Sequence, residues 1–288
     1  MFVGVRLATP RVGRGWIRVT GVGRDADATA LLEAHDAQLR AHVHDRLPDS
    51  IHVERDGPLV RTTGFGGRGW IEYHDLGGLD GDELDTLIAR QVQVFRERGE
   101  EAEWKLHGHD LPTDLPERLR AAGFVPEDTE TVVIARAADL PLEPILPAGV
   151  AIREATRQSD MARIAGLEET VWEDDHGWLV DLWKEREADP ESLRIFLAEA
   201  GDVTVSAGWV RFPSGTEFAS LWGGATLPEW RGRGIYRALV AERARLAVEL
   251  GRTYIETDAS DDSRPILERL GFTAVTTTTP YIWSPPGS

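Results

Sequence analysis

The chain of 288 residues carries 49 acidic against 32 basic side chains, and this net charge of −17 sets it against nucleic-acid phosphates. It contains no cysteine, which excludes disulfides, thiol nucleophiles and cysteine-ligated zinc. With 41% hydrophobic residues, no signal-peptide pattern and no apolar run near the ~18 residues of a membrane span, two ordinary domains in the cytoplasm are expected, without membrane contact.

Residues 1–22 hold short β-like pieces such as Trp16-Ile17-Arg18-Val19, and Asp27 to Arg46 reads as a helix. His35, His42, His44 and His52 follow no metal-ligand spacing, so they are expected on the surface, with no metal. From His52 to Leu76 the pattern alternates as in strands, and the glycine-rich run Gly64 to Gly69 reads as a hairpin turn because strand pattern follows it. Then come a helix over Asp82 to Arg98, a strand over Ala102 to His107, a short helix over Leu115 to Ala122 and a strand over Thr131 to Ala135.

Asp139 to Ala148, with three prolines, reads as a linker. Beyond it lie a strand (Val150 to Glu154), two helices (Ser159 to Trp172, Leu179 to Glu187), and strands near Ile195, over Val203 to Phe212 and over Phe218 to Thr226. A long helix to Leu250, a strand (Thr253 to Asp258), a helix (Pro265 to Leu270) and a final strand pair through Trp283 complete the chain. The order repeats: Gly123-Phe124 after a short helix mirrors Gly271-Phe272, 148 residues on, and Gly99 mirrors Gly251.

Between the strand ending at Thr226 and the long helix stands Leu227-Pro-Glu-Trp-Arg-Gly-Arg-Gly-Ile-Tyr236. Gly232 and Gly234 let backbone approach a ligand, and the first helical amides lack intrahelical acceptors. Residues 229–245 hold five arginines against two glutamates, so an anionic phosphate or pyrophosphate suits this helix start. Within the helix, Arg243 falls among apolar positions and is expected to reach past them to solvent.

Arg231-Gly-Arg-Gly-Ile-Tyr236, preceded by Pro228, resembles the Q/R-x-x-G-x-G/A pyrophosphate loop of the GNAT N-acetyltransferase superfamily, and Leu270-Gly271-Phe272 resembles a second motif of that family. Tyr236 departs from it, standing where the family has Gly or Ala. The resemblance implies an α/β protein of two GNAT-like domains in tandem, each a mixed, mainly antiparallel central sheet flanked by helices. These are a degenerate domain over 1–140, a linker over 141–148 and a catalytic domain over 149–288. In the first half Asp75, Asp80, Asp82, Glu83 and Asp85 stand near the corresponding helix start, where they would repel a pyrophosphate.

The resemblance further implies acetyl-CoA as co-substrate, held by Ala225, Thr226, Leu227, Arg231, Gly232, Arg233, Gly234, Ile235 and Tyr236, the first three through main chain at the acyl carbonyl. The family's tyrosine acid is replaced by Leu267 and its asparagine by Ser260, so Ser260, Ser263 or Tyr281 is left to protonate the thiolate, unless the thiolate leaves unaided. Asp258 is the favoured base, with Glu217, Glu173, Asp175 and His176 as others. Residues 168–191 bring ten carboxylates together with Trp172, Trp178 and Trp183. They suit either a groove for a cationic amine, with Glu173, Trp178 and Trp222 touching the acceptor, or an acidic helix pair with core tryptophans. The expected activity is acetyl transfer to a primary amine of a small molecule by a monomer or homodimer. A module that holds acyl-CoA without turnover is the alternative, and a different phosphate ligand at the loop a third.

Overall fold

A computed structural model describes residues 22–43, 46–65, 67–172, 177 and 179–286. The β-like pieces expected before Val22, and His44, Glu173, Asp175, His176 and Trp178, lie outside the described residues. In chain order the elements are α1 (Val22–Gln38), β1 (His52–Asp56), β2 (Leu59–Phe65), β3 (Arg68–Tyr73), α2 (Gly81–Arg98), β4 (Glu101–His107), α3 (Leu115–Ala121), β5 (Val125–Pro126) and β6 (Glu130–Arg136). The second half follows with β7 (Val150–Glu154), α4 (Gln158–Trp172), α5 (Leu179–Ala188), β8 (Leu193–Ala200), β9 (Val203–Arg211), β10 (Phe218–Thr226), α6 (Ile235–Glu249), β11 (Tyr254–Ala259), α7 (Arg264–Leu270) and β12 (Thr273–Trp283).

Local chemistry sets these boundaries. The α2 helix opens with Asp82 and Glu83 at its positive end, closes with Arg96 and Arg98, and stops at Gly99, whose φ of 66° no β-carbon has to share. Its Leu84, Leu87, Ile88, Val92 and Phe95 recur at helical spacing and are all buried. The run Gly64 to Gly69 lies in the antiparallel β2–β3 hairpin, as its strand-flanked pattern implies.

Among the described residues the strands join one mixed, mostly antiparallel sheet in the order β1-β2-β3-β4-β12-β6-β11-β10-β9-β8-β7, with β5 beside β12. Two neighbouring pairs, β3 with β4 and β10 with β11, run parallel, and each encloses a helix, α2 or α6, so the repeat in the sequence is a repeat of architecture. One face carries α2, α3, α6 and α7 over Ile71, Trp104, Val133, Val210 and Ile255. On the other, Leu31 of α1 meets Val132 and Ile134, while α4 and α5 cover Ile195, Ala207 and Trp209.

The centre of the sheet departs from the expected final strand pair. Strands β6 and β12 occupy equivalent places in the repeat, each following its own half's short helix, yet β6 pairs with β11 of the second half and β12 with β4 of the first. Val133 and Ala135 of β6 are buried in the second half's core, and Tyr281 and Trp283 of β12 in the first half's. The two halves therefore exchange their last strands, and β12 needs no return strand of its own because β6 already flanks it.

Candidate active site

Strands β10 and β11 stay in parallel register for Phe218, Ala219 and Ser220 against Tyr254, Ile255 and Glu256, and then part. Beyond this point β10 follows β9 alone and breaks register between Gly223 and Thr226. Gly223 and Gly224 take φ of 68° and 105° there; a β-carbon on Gly223 would sit 2.4 Å from the Trp209 ring, and one on Gly224 2.9 Å from Tyr236 Cε2. Glycine is the residue that fits such a bulge. Of the amides expected to face an acyl carbonyl, that of Leu227 donates to Val205 O at 3.0 Å, which ties it to β9; Ala225 and Thr226 lie at the bulge itself.

A single 3₁₀ turn, Pro228–Trp230, carries the chain to the glycine loop. Arg231 Nε donates to Thr226 O at 3.0 Å, bracing the loop against β10, and Arg233 Nη2 donates to Glu229 O at 2.9 Å while its guanidinium covers the Trp230 ring. Gly232 and Gly234 have φ of 73° and 86°, and Gly234 caps α6 without any side-chain cap or acidic residue in the first turn. The amides of Ile235 and Tyr236 thus open a helix whose positive end is uncompensated, with Arg237 folded back to 3.4 Å from the β-carbon position of Gly234.

Two of the five arginines counted toward this anion site belong elsewhere. Arg245 pairs with Glu242 and Glu249. Arg243 does not reach solvent: it is 1% exposed, and its guanidinium donates to the carbonyls of Leu239, Trp209 and Trp222 at 3.0, 3.1 and 3.2 Å. The apolar neighbours of this position enclose the side chain, and one carbonyl each of α6, β9 and β10 accepts its hydrogen bonds.

The same place in the first half is built with the opposite charge. Asp82 and Glu83 occupy the first turn of α2, and Asp75 accepts the amide of Gly77 at 2.7 Å. A cavity of about 660 Å³ lies there, lined by Asp36, Asp75, Asp80 and Asp110 around Arg40 and His109. Arg40 is buried in an ion pair with Asp110 at 2.6 Å, so this cation is already matched.

On the face opposite α6, near where β10 and β11 separate, carboxylates of both halves converge. Asp258 is ion-paired with Lys105, which β4 contributes from the first half. Glu103 shares that face of β4, Glu72 that of β3, Glu130 that of β6 and Glu256 that of β11. Burial, followed by the charge of Asp258, pushes the Glu130 carboxyl up to about 7. Burial likewise raises Glu72, Glu103 and Glu256, whereas Lys105 is held above its ordinary value against burial by Asp258 and Glu103. Trp222 is 43% exposed beside this groove, but Lys105 and Arg211 stand over its ring at 5.5 and 6.0 Å.

The remaining sequence candidates separate. Ser263 precedes α7, with its Oγ 3.2 Å from that of Ser260. Tyr281 is buried in the first half's core through the strand exchange, which removes it as a proton donor here. Glu217 lies at the closed end of the β10–β11 pair, bonded to Gln38 and Thr253. Trp183 is core, as the plainer reading of the tryptophans has it, while Trp172 is 56% exposed. His35, expected at the surface, is buried against Phe218 and His107, and no metal-holding group of side chains occurs among the described residues. Glu130 and Lys105 escaped the sequence because nothing in it announces that β4 and β6 reach this groove.

Residues 159–272 match the model of the acetyltransferase (GNAT) family. A search of curated proteins gives no significant match to the sequence. Among solved structures, the chain is similar to a GCN5-related N-acetyltransferase from Kribbella flavida, with 18% identity, a TM-score of 0.63, and 94% of this chain and 98% of that chain covered. It is similar also to a tandem GNAT protein from the clavulanic acid biosynthesis pathway, at 17% identity and TM-score 0.58 over 93% of this chain and 95% of that one. These likenesses extend the shared fold over both halves.

Proposed function

We propose that this chain, which carries a GNAT acetyltransferase domain over residues 159–272, moves an acetyl group from acetyl-CoA to a primary amine of a small cationic molecule by direct attack. The observation that carries the reading is the uncapped start of α6, ringed by Arg231, Arg233 and Arg237, beside the opening between β10 and β11. Positive-φ glycines, free helical amides and the absence of acid in the first turn fit a pyrophosphate. The residues that would hold the coenzyme are Arg231 to Tyr236, with the main chain at Ala225 and Thr226 toward the acyl group.

When bound, acetyl-CoA supplies the acyl carbon and a thiolate leaving group. The acidic groove draws the acceptor as a cation, and Glu130, whose carboxyl titrates near neutrality, takes the proton that the nitrogen must lose to attack. Asp258, held by Lys105, fixes the wall of the groove beside it. The new C–N bond forms as the C–S bond breaks, one proton leaving the nitrogen and one joining the sulfur.

Calorimetry with acetyl-CoA, paired with thiol release on spermidine and on neutral aromatic amines, tests this. Coenzyme binding with faster release on spermidine is expected. Binding without release on any amine would leave a coenzyme-holding module, and no binding at all would remove the reading. Nucleotides should raise the melting temperature less than coenzyme A does.

A further inference from the structure

We propose that Lys105, contributed by the first half, determines which amines the second half accepts. Its ammonium fills the cation subsite at the mouth of the β10–β11 opening, so acceptors whose second charge stands far from the reacting nitrogen are selected over those whose charge stands near it. This rests on the acetyl-transfer reading above.

The parallel register of β10 and β11 ends at Ser220 and Glu256. Two residues further along each strand come Trp222 and Asp258, which by strand alternation project on one face, one from each lip of the opening. The Lys105 ammonium is ion-paired with Asp258 and stands 5.5 Å from the centre of the Trp222 ring. It therefore lies between the two lips. A carboxylate and an aromatic face turned toward one point suit a substrate ammonium, and the distance is within the ~6 Å over which a ring attracts a cation. Here the chain supplies the ammonium itself.

Arg211, the other cation over this ring, is 6.0 Å away and is engaged by Glu185 of α5, to which its Nη2 donates at 3.1 Å. Lys105 is the one that closes the pair of lips. It comes from β4, which β12 and β6 separate from β11, so the subsite is filled because the two halves share a sheet.

Burial alone would lower the Lys105 ammonium, but the charges of Asp258 and Glu103 more than offset this, and the group is a cation at neutral pH. The reacting nitrogen of an acceptor has to enter the same opening to reach the acyl carbon. A second positive charge close to that nitrogen meets Lys105 in poorly solvated surroundings, where like charges repel strongly. A charge several bonds away can lie instead toward Glu72 and Glu103, on the strands from which the lysine sets out. The groove thus attracts cations as a whole and refuses one at its inner end.

Thiol release from acetyl-CoA by the full-length protein is followed with 1,3-diaminopropane and with 1,6-diaminohexane, whose second ammonium stands near to or far from the reacting nitrogen. Wild type should favour the longer diamine by at least about tenfold in kcat/KM, and Lys105→Ala should bring the two to within about threefold. Lys105→Arg, which keeps the charge, should keep the preference. Should Lys105→Ala not fold, Lys105→Met removes the charge, retains most of the stem and carries the same comparison. Tetramethylammonium, which cannot be acetylated, probes the subsite without turnover. Against sodium chloride at equal ionic strength it should raise the Tm of Lys105→Ala, leave wild type unchanged, and lose its effect when Asp258→Asn is added to Lys105→Ala.

An unchanged diamine preference in Lys105→Ala, or no response of that variant to tetramethylammonium, would overturn the proposal while leaving acetyl transfer standing. If the wild-type protein neither binds acetyl-CoA nor releases thiol, the acetyl-transfer reading fails and the acceptor preference with it. The tetramethylammonium response then still reads whether Lys105 fills a cation subsite.

Discussion

Asp160 shows how single side chains hold the second half in place. Its carboxylate takes two guanidinium hydrogen bonds from Arg153 and the amides of Thr156 and Arg157, at 2.7 to 3.3 Å, fastening the start of α4 to β7. The Arg153 hydrogen bond chiefly, and the two amides, push its carboxyl down to about 2 from an ordinary 3.8. Because the folded value lies below the unfolded one, this stabilisation is complete above pH ~4 and is lost as pH falls toward 2. Asp160→Asn should therefore cost about 2 kcal/mol in urea unfolding at pH 7, and the difference from wild type should shrink in acid. Glu130 has the opposite sign. Its carboxyl sits near 7 in the fold against 4.5 ordinarily, so ionising it weakens the folded state as pH rises through that window. Glu130→Gln should raise the melting temperature at pH 8, leave it unchanged at pH 4, and abolish the acid limb of thiol release near pH 7.

Among the elements, α6 joins binding to packing. Its far side, with Leu239, Val240, Ala244 and Ala247, is buried in the second half's core, which fixes where its first amides point. Gly232 has open space around it but a φ of 73°. Gly232→Ala meets no neighbour and should cost only about 1 kcal/mol of stability through backbone strain. Coenzyme affinity measured by calorimetry should fall by more than tenfold, since the substitution disturbs the loop that offers the amides. A comparable loss of stability with unchanged affinity would place the coenzyme elsewhere.

For the molecule as a whole, the strand exchange is the dominant fact. Removing β12 uncovers β4 and β6 together and takes Tyr281 and Trp283 out of the first half's core, so the damage falls on the half to which β12 does not belong in sequence. A chain ending at Gly271 should unfold both halves, and neither 1–148 nor 149–288 expressed alone should give a cooperative melting transition. Co-expression of the two fragments should restore one, because each supplies the strand the other lacks. Two independent transitions from separately expressed halves would refute this account.

The amino-acid sequence by itself determined most elements and their repetition, since helix and strand periodicity, glycine stops and first-turn charges are local properties of the chain. It determined the glycine loop for the same reason: backbone freedom, a free helix start and clustered arginines lie within a few consecutive residues. It did not determine that Lys105 and Glu130 would meet Asp258 or that Tyr281 would leave the site. Those outcomes follow from which strand lies next to which, and a pairing between residues more than a hundred positions apart leaves no periodic trace. Only the tertiary structure decided them, because the exchange of β6 and β12 is settled by how two separate cores are filled.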